Sequence, residues 1–492
     1  MNKLTREWSV LPPVFRLTTA ALLVLGAFSS QGEARNPNTD WFQHAGYGVF
    51  VHYLEDLQNA PNQLHSLGRR TTWDACVREF DTSSFAEAMA QAGAGYVIFT
   101  MHQRTRFLIA PNATFDRLTG YKPGEACATR DLVEDLYETL HRHHIPLMLY
   151  WTGDGPRADP RAAAALGWKN PVPTEYVRKW ASVVREYGER YGDKVAGWWV
   201  DGCYRFIGYD EEKLGILAAA LKAGNDKRII AFNPGVEDKV QPYSRFEDYT
   251  CGEQNQFFDQ PAGRWIGGEQ WHILSFLGSG QSHIGAAWAM PGVKYSKQEL
   301  VDYIFAVNQA GGVVSIDVML YRDGGLDRSQ LEALKALRPG LAASRSETPV
   351  PPGNLAFRKP ARLLSLDASH ELEVNGGVHF ARLGVDGRPE TTALAGGEWP
   401  WTYEVDLLQP HAVHRLRLTF ARDGYPTQLR LALSADRRTW QTVASADKLE
   451  GQPYTCEFAP VTAQYVRVSA LKPNGPNQPG TQMAIAELEV YE

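Results

Sequence analysis

The chain has 492 residues, of which 44% are hydrophobic and 22% are charged, and its formal net charge at pH 7 is -6. Such a composition excludes a largely disordered chain, a collagen-like fibre and a multi-span membrane protein. The small acidic excess gives no basic field that could hold nucleic acid. The length predicts two or more folded domains.

The first 34 residues have the pattern of a secretory signal peptide. Three basic residues, Lys3, Arg6 and Arg16, precede an apolar run over 17–28, and small and polar residues follow it as far as Ala34. The run is shorter than the roughly 20 apolar residues that a membrane-spanning helix needs. We therefore expect this segment to be removed and the mature chain to be exported, either secreted or periplasmic, with no membrane span.

The five cysteines show neither a Cys-x-x-Cys spacing nor a grouping with histidine that would suit a metal. An oxidising compartment would permit one or two disulfides, and the sequence leaves their pairing open. The sequence thus predicts no catalytic metal and no cysteine-based chemistry. The cysteines are Cys76, Cys127, Cys203, Cys251 and Cys456.

From residue 47 onward, short apolar runs alternate with stretches of helical periodicity. Continuous apolar strands between helices are typical of a parallel sheet that is covered on its outer face. This long alternation favours a closed (β/α)8 TIM-like barrel over 35–338. No glycine-rich GxGxxG or GxxxxGK turn follows a strand, which argues against nucleotide binding. The predicted strands are 47–52, 96–100, 146–151, 195–201, 228–232 and 313–318, and the predicted helices are 84–93, 131–144, 174–191, 211–223, 296–309 and 327–337.

A different pattern begins after the barrel. Prolines and glycines concentrate over 339–353, which is predicted to be a linker. Beyond it, apolar residues alternate with period two at 414–420, 428–434 and 464–468. Short alternating strands between turns predict an antiparallel β-sandwich over 354–492.

Catalytic groups of such barrels lie at the carboxyl ends of the strands. Four predicted strands end at chemically suggestive residues: His52, His102, Tyr150 with Trp151, and Asp201. An aspartate there could equally be a turn or helix-cap residue, and a single histidine beside a strand end is often a packing residue. Their common position at one mouth of the barrel favours a shared functional site.

Five short motifs follow one another along the predicted barrel. They are Phe-Val-His at 50–52, Ala-Gly-Ala-Gly-Tyr-Val at 92–97 with Thr-Met-His at 100–102, Arg-Asp-Leu-Val at 130–133, Trp-Val-Asp-Gly at 199–202, and Ala-Gly-Gly-Val-Val-Ser at 310–315. Each motif is weak by itself. Together and in this order, over roughly 41–338, they resemble the retaining alpha-L-fucosidases, a family of glycoside hydrolases.

The resemblance implies hydrolysis of terminal alpha-L-fucosyl residues with retention of configuration, through two carboxyl groups and without a cofactor. It implies that Asp201 is the nucleophile. For the acid/base, the family's Trp-Glu context ahead of a short helix matches Glu269, which precedes 273–277, and Glu253 is the second candidate. The substrate-binding residues that the resemblance implies are His52, His102, Gln103, Tyr150 and Trp151.

The chain departs from the family pattern in the sugar pocket. Tyr53 stands where the family has a tryptophan, Gln103 where it has a second histidine, and Thr250 where it has an arginine. Gln103 can still hydrogen-bond a hydroxyl, and Arg104 or Arg106 would suit an anionic substituent or be solvated loop residues. Two alternatives stay open: a glycosidase for another, fucose-like sugar, and a catalytically silent glycan-binding protein.

The C-terminal segment resembles discoidin-like sandwiches of the coagulation-factor C type, which have a galactose-binding-like jelly roll and are common among carbohydrate-binding modules. Asp-Gly at 386–387 and the closing Ile-Ala-Glu-Leu-Glu-Val at 485–490 are among the motifs that carry the resemblance. It implies either a glycan ligand or a spacer role and, as in some members, a structural calcium ion. Trp399 and Trp401 could stack on a sugar, while Trp401 and Trp440 could equally belong to the core. The expected partner is a glycan, and the oligomeric state is left open.

Overall fold

The computed structural model describes residues 36–279, 287–347, 353–369, 380–394, 401–421, 424–472 and 483–492, and these belong to one compact unit. Within it, a barrel of parallel strands and helices precedes an antiparallel β-sandwich, which confirms the predicted fold class. The predicted signal peptide and Trp399 lie outside the described residues.

The barrel is built around a curled sheet of parallel strands. In chain order its strands are β1 (Tyr47–Val51), β2 (Val97–Thr100), β3 (Leu147–Thr152), β4 (Val195–Asp201), β5 (Ile229–Phe232), then, after the short hairpin of β6 (Trp265–Ile266) and β7 (Glu269–Gln270), β8 (His272–Phe276) and β9 (Val313–Val318). Their hydrogen-bonding order is β5-β4-β3-β2-β1-β9-β8. The strands are buried on both faces, because helices cover the outer face and side chains fill the interior.

Residues 248–254 occupy the eighth position of the barrel, between β5 and β8, without forming a regular strand. The amide of Asp248 donates to the carbonyl of Ile230 at 2.9 Å, and the amide of Gln254 donates to the carbonyl of Leu274 at 2.9 Å. The segment therefore bridges the two edges of the seven-stranded sheet. It runs parallel to β8, so its last residues lie at the same mouth as the carboxyl ends of the strands.

Helices pack against the outside of this sheet. Most begin at an aspartate, asparagine or serine whose side chain accepts a backbone N–H of the first turn, as Asp131 does for the helix that follows it. All six predicted helices are present. The helices are α1 (Asp40–Ala45), α2 (Glu55–Gln58), α3 (Trp73–Arg78), α4 (Thr82–Ala92), α5 (Ala113–Thr119), α6 (Leu132–His141), α7 (Pro160–Leu166), α8 (Thr174–Tyr191), α9 (Glu211–Leu221), α10 (Lys297–Gln309), α11 (Arg328–Lys335) and α12 (Leu337–Glu347).

Two segments differ from their sequence-based descriptions. The prediction of a short helix at 273–277 is wrong. These residues belong mostly to β8, which pairs with β9 from His272 to Phe276. A run of five apolar or small residues fits a buried strand and a buried helical turn equally well, and only its neighbours decide between them. Much of the predicted linker 339–353 belongs to α12, which extends from Leu337 to Glu347. Pro339 is compatible with this helix because it lies in the first turn, where a missing N–H costs no helical hydrogen bond.

The C-terminal domain is a folded antiparallel sheet with a buried apolar interior. Its strands are β10 (Ala361–Ser365), β11 (Ala393–Leu394), β12 (Trp401–Phe420), β13 (Gln428–Ser434), β14 (Gln441–Asp447), β15 (Tyr454–Lys472) and β16 (Ala484–Tyr491). The pairing of β12 with β15 shifts register between Asp406 and His411, and such irregularities let long strands bend from one layer to the other. Trp401 is 1% exposed and belongs to the core, whereas the guanidinium of Arg467 covers the ring of Trp440 at 3.6 Å.

Ion pairs join the sandwich to the barrel. Asp302 on α10 forms ion pairs with two arginines of the C-terminal domain, Arg358 at 3.0 Å and Arg388 at 2.8 Å. On another part of the junction, Lys239 contacts Asp406 of β12 at 3.0 Å. These contacts hold the two domains together as a single compact unit.

Candidate active site

A cleft of about 530 Å³ opens at the carboxyl ends of the barrel strands. One part of its lining is aromatic and apolar, including Phe50, Trp199 and Trp288, and the other part is polar. Clefts of this size that combine an apolar wall with converging polar groups are typical of small-molecule sites. Of the residues singled out from the sequence, five line this cleft and Glu269 does not; the five are His52, Gln103, Tyr150, Asp201 and Glu253.

Asp201 ends β4 with its carboxylate facing the cleft. Its Oδ1 accepts hydrogen bonds from the amide of Gly202 at 2.8 Å, the hydroxyl of Tyr204 at 2.7 Å and the Nδ2 of Asn233 at 3.0 Å, and its Oδ2 accepts from the hydroxyl of Tyr150 at 2.6 Å. Four donors from four residues hold the carboxylate in one orientation. Its contacts are those of a site residue and exceed what a turn requires.

Glu253 lies beside Asp201 and shares a hydrogen-bond donor with it. The Nδ2 of Asn233 is 3.0 Å from Asp201 Oδ1 and 2.5 Å from Glu253 Oε2. Because both bonds share one nitrogen, the two oxygens are at most about 5.5 Å apart, which is closer than the roughly 6.5–9.5 Å between the carboxyl groups of inverting glycosidases. Burial, and secondarily the charge of Asp201, raise the pKa of Glu253 to about 7. Glu253 can therefore hold a proton near neutral pH.

Glu269 does not reach the cleft. It lies in β7, immediately before β8, and is therefore at the amino end of that strand, while Asp201 is at the carboxyl end of β4. In a parallel barrel these two ends are opposite faces. Its hairpin partner is Ile266. The preference for Glu269 over Glu253 is thus corrected: of the two glutamates, only Glu253 lies in the cleft.

Strand alternation also separates the expected substrate-binding residues. Tyr150 faces the cleft, so its neighbour Trp151 faces outward and stacks on Trp180 of α8 at 4.6 Å. His102 is 1% exposed and packs its ring edge-on against Trp151 at 4.5 Å and Trp180 at 5.1 Å. Burial lowers the pKa of His102 to about 3, which keeps the ring neutral. The expectation that His102 and Trp151 line the sugar pocket is therefore wrong; both pack between the sheet and its helices.

Gln103 is connected to Asp201 through Tyr150. Its Nε2 donates to the Tyr150 hydroxyl at 2.9 Å, and that hydroxyl donates in turn to Asp201. The two arginines that follow have different surroundings. Arg106 pairs with Asp159 at 2.8 Å, whereas Arg104 is exposed and lines the cleft.

His52 is held at the opposite wall of the cleft. Its Nδ1 is 2.8 Å from Oδ1 of the buried Asp317, whose Oδ2 accepts the amide of Ala289 at 2.7 Å. Within the described residues only Nδ1 of this ring is hydrogen bonded, so the orientation that Asp317 imposes leaves Nε2 for a ligand. A carboxylate that fixes a histidine in this way also fixes its tautomer.

Asn233, which contacts both carboxyl groups, and the cleft residues Trp199 and Trp288 were not singled out from the sequence as site residues. Asn233 directly follows β5, so the strand-end rule applied to the predicted strand 228–232 would have found it. Trp199 stands two residues before Asp201 and shares its face of β4, where it stacks on Tyr150 at 5.5 Å. Trp288 comes from the loop after β8 and has no sequence signal of its own.

The described residues contain no group of three or more histidine, cysteine or acidic side chains arranged to hold a metal. No helix in these ranges combines the length and the apolar character of a membrane span. All five cysteines fall within them as free thiols, four of them buried.

Comparisons with known proteins place this geometry in a family. The sequence model of the family described as alpha-L-fucosidase matches residues 70–339, and that of the NedA-like, galactose-binding domain matches residues 383–468. No curated protein matches the chain significantly.

Solved structures with similar folds cover most of the chain or its C-terminal part. SpGH29 is 15% identical with a TM-score of 0.43, over 93% of this chain and 98% of that one. A Ruminococcus gnavus GH29 fucosidase in complex with fucose is 14% identical with a TM-score of 0.39, over 93% and 94%. A chitosan-binding module of a chitosanase/glucanase from Paenibacillus sp. IK-5 is 26% identical with a TM-score of 0.24, over 28% and 98%.

The alpha-L-fucosidase match extends over more than half of the chain and includes the strands that carry Gln103, Tyr150 and Asp201. A barrel with its polar cleft at the carboxyl ends of the strands agrees with that match. The chain belongs to the alpha-L-fucosidase family and is a glycoside hydrolase.

Proposed function

We propose that the protein removes terminal alpha-L-fucosyl residues from glycans by a retaining double displacement, with Asp201 as nucleophile and Glu253 as acid/base. The observation that carries the proposal is the pair of carboxyl groups bridged by the amide of Asn233, whose bridged oxygens lie closer together than the carboxyl pair of an inverting enzyme. An inverting enzyme needs room for a water molecule between the sugar and its base, and therefore a wider pair.

The reaction proceeds in two steps. In the first, a carboxylate oxygen of Asp201 bonds to the anomeric carbon while the bond to the leaving oxygen breaks, and Glu253 transfers its proton to that oxygen. In the second, Glu253 takes a proton from water, the water oxygen bonds to the anomeric carbon, and the bond to Asp201 breaks. Each step inverts the anomeric carbon, so the product retains its configuration.

The surrounding side chains support this division of roles. Tyr150 and Tyr204 donate to the ionised Asp201 and keep one oxygen aimed into the cleft, which lowers the cost of reaching the attacking geometry. The raised pKa of Glu253 supplies the proton near neutral pH. The apolar side of the cleft, with Phe50 and Trp288, suits the methyl group of a 6-deoxy sugar.

The test is hydrolysis of 4-nitrophenyl alpha-L-fucopyranoside by the mature chain, with the first-formed sugar followed by NMR. We expect the alpha anomer of fucose to appear before mutarotation. The beta anomer would overturn the retaining mechanism. Turnover of other aryl glycosides without turnover of the fucoside would reassign the glycone, and binding without any turnover would favour the silent glycan-binding alternative.

We also propose that the mature chain is exported to the periplasm or secreted after loss of residues 1–34. The basic start and short apolar run of that segment support the proposal. Amino-terminal sequencing of the protein recovered from each cell fraction tests it: recovery of the uncleaved chain in the cytoplasm would contradict export.

In the sandwich, we propose a glycan-binding role and a structural calcium ion. Asp386 and Glu487 lie close together; Glu487 is 8% exposed, and its Oε1 has no hydrogen-bond partner among the described residues. The hydroxyl of Thr391 lies 2.9 Å from both oxygens of Asp386. Two carboxylates and a hydroxyl are oxygen ligands of the type that calcium prefers, and these residues would hold the ion. A calcium-dependent rise in melting temperature tests the ion, and glycan-array binding of the isolated full chain with Asp201→Ala tests the ligand.

A further inference from the structure

The exposed large apolar side chains of the described residues concentrate around the mouth of the cleft. Leu64 and Leu67 follow β1, Phe206 follows β4 and Val236 follows β5, so four of the six lie on loops at the catalytic face. The other two, Leu366 and Leu394, are in the sandwich. Exposed apolar groups that gather at one place mark a binding surface more often than scattered ones do.

Phe206 is the most exposed of them, at 79%. Its ring stacks on that of Tyr204, with centroids 5.0 Å apart and planes 10° from parallel. The hydroxyl of Tyr204 donates to Asp201. An aromatic pair thus leads outward from the nucleophile, and the outer ring has one face against protein and most of its surface in solvent.

The position of this pair is on the leaving-group side of the cleft. The hydroxyl of Tyr204 and the Nδ2 of Asn233 donate to the same oxygen of Asp201, and that Nδ2 also donates to Glu253. Gly235 lies beside the Tyr204 ring, and the next residue, Val236, lines the cleft. The pair therefore stands on the side of Asp201 that faces Glu253, the proposed proton donor of the leaving oxygen.

We propose that Phe206 is a binding platform for the first sugar of the leaving group and thereby determines which fucosylated glycans are cleaved best. This inference rests on the proposed function. The flat face of a phenyl ring suits the C–H face of a pyranose. Polar side chains on the outer lining, Gln63, Arg104 and Asn255, offer hydrogen bonds to the hydroxyls of a sugar, which a lipid chain lacks.

The experiment compares Phe206→Ala with the unmodified enzyme on two substrates. One is alpha-L-fucosyl fluoride, whose leaving group has no ring; the other is the best substrate among fucosylated trisaccharides with 1→2, 1→3, 1→4 and 1→6 linkages. We expect kcat/KM to fall about 10-fold for the trisaccharide and less than about 2-fold for the fluoride. Phe206→Tyr should keep the trisaccharide rate, and Leu366→Ala, an exposed apolar residue of the sandwich, should change neither.

Other results separate the possible failures. Equal losses on both substrates would mean that Phe206 acts only by supporting Tyr204, and no loss on the trisaccharide would mean that it contacts nothing; each overturns the platform. A larger loss on octyl alpha-L-fucopyranoside than on the trisaccharide would replace the sugar by an apolar aglycone. Failure of the unmodified enzyme to hydrolyse the fluoride would contradict the proposed function instead.

Discussion

The barrel and the sandwich each bury a pair of carboxyl groups, and the pairs differ in access. Asp201 and Glu253 share a cleft of about 530 Å³, whereas a pocket that Asp386 lines holds about 30 Å³. Burial raises the pKa of Glu253 to about 7, of Asp386 to about 6 and of Glu487 to about 8. A raised carboxyl pKa is therefore insufficient to identify catalysis: a substrate must also reach the group.

Loss of the nucleophile should have the largest effect. We expect Asp201→Gly to lower kcat on 4-nitrophenyl alpha-L-fucopyranoside about 10⁴-fold or more, because the variant lacks the group that forms the covalent bond to the anomeric carbon. Added azide should restore part of the rate and give a fucosyl azide of inverted configuration. Full activity in this variant would remove Asp201 from the mechanism.

The two glutamates provide a matched pair for the acid/base. Glu253→Ala should lower kcat/KM about 10²–10⁴-fold on a fucosyl disaccharide, and much less on an aryl fucoside whose leaving group needs no proton. Glu269→Ala, at the opposite face of the barrel, should leave both rates within about twofold. A leaving-group-dependent loss in Glu269→Ala would reverse the assignment.

The pH dependence should follow Glu253. Since it must be protonated to act as an acid and its pKa is raised to about 7, kcat/KM should fall as the pH rises through that value. In Glu253→Gln, assayed with an activated aryl fucoside, this alkaline limb should disappear. A limb that persists there would belong to a group other than Glu253.

Substitutions at the adjacent residues His102 and Gln103, which follow β2, should affect stability and activity separately. We expect His102→Ala to lower the free energy of unfolding by about 2–4 kcal/mol, through a cavity between Trp151 and Trp180, with little change in kcat/KM. Gln103→Ala should lower kcat/KM with little change in the free energy of unfolding, since it removes the side chain that donates a hydrogen bond to the Tyr150 hydroxyl. Chemical denaturation and kinetics on both variants check this, and a kinetic loss confined to His102→Ala would contradict the assigned directions.

The sandwich pair should show the smallest effect, on stability alone. Because the pKa of Glu487 is raised in the folded state, its contribution in calcium-free buffer is present at acidic pH and is lost as the pH rises toward 8. Calcium should oppose that loss. Glu487→Gln should remove the calcium response and weaken the pH dependence, to which Asp386, with its pKa raised to about 6, also contributes. Melting curves at pH 5 and pH 8, with calcium and with chelator, measure it. A change in kcat would mean that this pair is coupled to the cleft.

Much of the fold was predictable because its signals are local. Both α8 and β4 occur at their predicted bounds, since long amphipathic periodicity and uninterrupted apolar runs leave few alternatives. The strand-end rule located Asp201 and Tyr150 for the same reason. The rule could not place both Tyr150 and Trp151 in the cleft. Successive residues of a strand point to opposite faces, so Trp151 must face away from the cleft if Tyr150 faces it.

The acid/base was harder to predict because it depends on an irregular segment. Glu253 lies on the segment 248–254, which closes the barrel but lacks the sequence pattern of a strand. The apolar run 273–277 after Glu269 fits both a strand and a helical turn. Once β8 is recognised as a strand, the direction of the parallel sheet places Glu269 at the wrong end. The error is therefore one of secondary structure, and it propagates directly into the choice of the catalytic group.

The most direct test of the central claim is to trap the covalent intermediate. The enzyme is incubated with 2-deoxy-2-fluoro-alpha-L-fucosyl fluoride, digested with pepsin and analysed by mass spectrometry. We predict one fluorofucosyl group, carried by the peptide that contains Asp201 and absent from Asp201→Ala. A label on another residue, or hydrolysis of the reagent through no covalent species, would contradict retaining catalysis by Asp201.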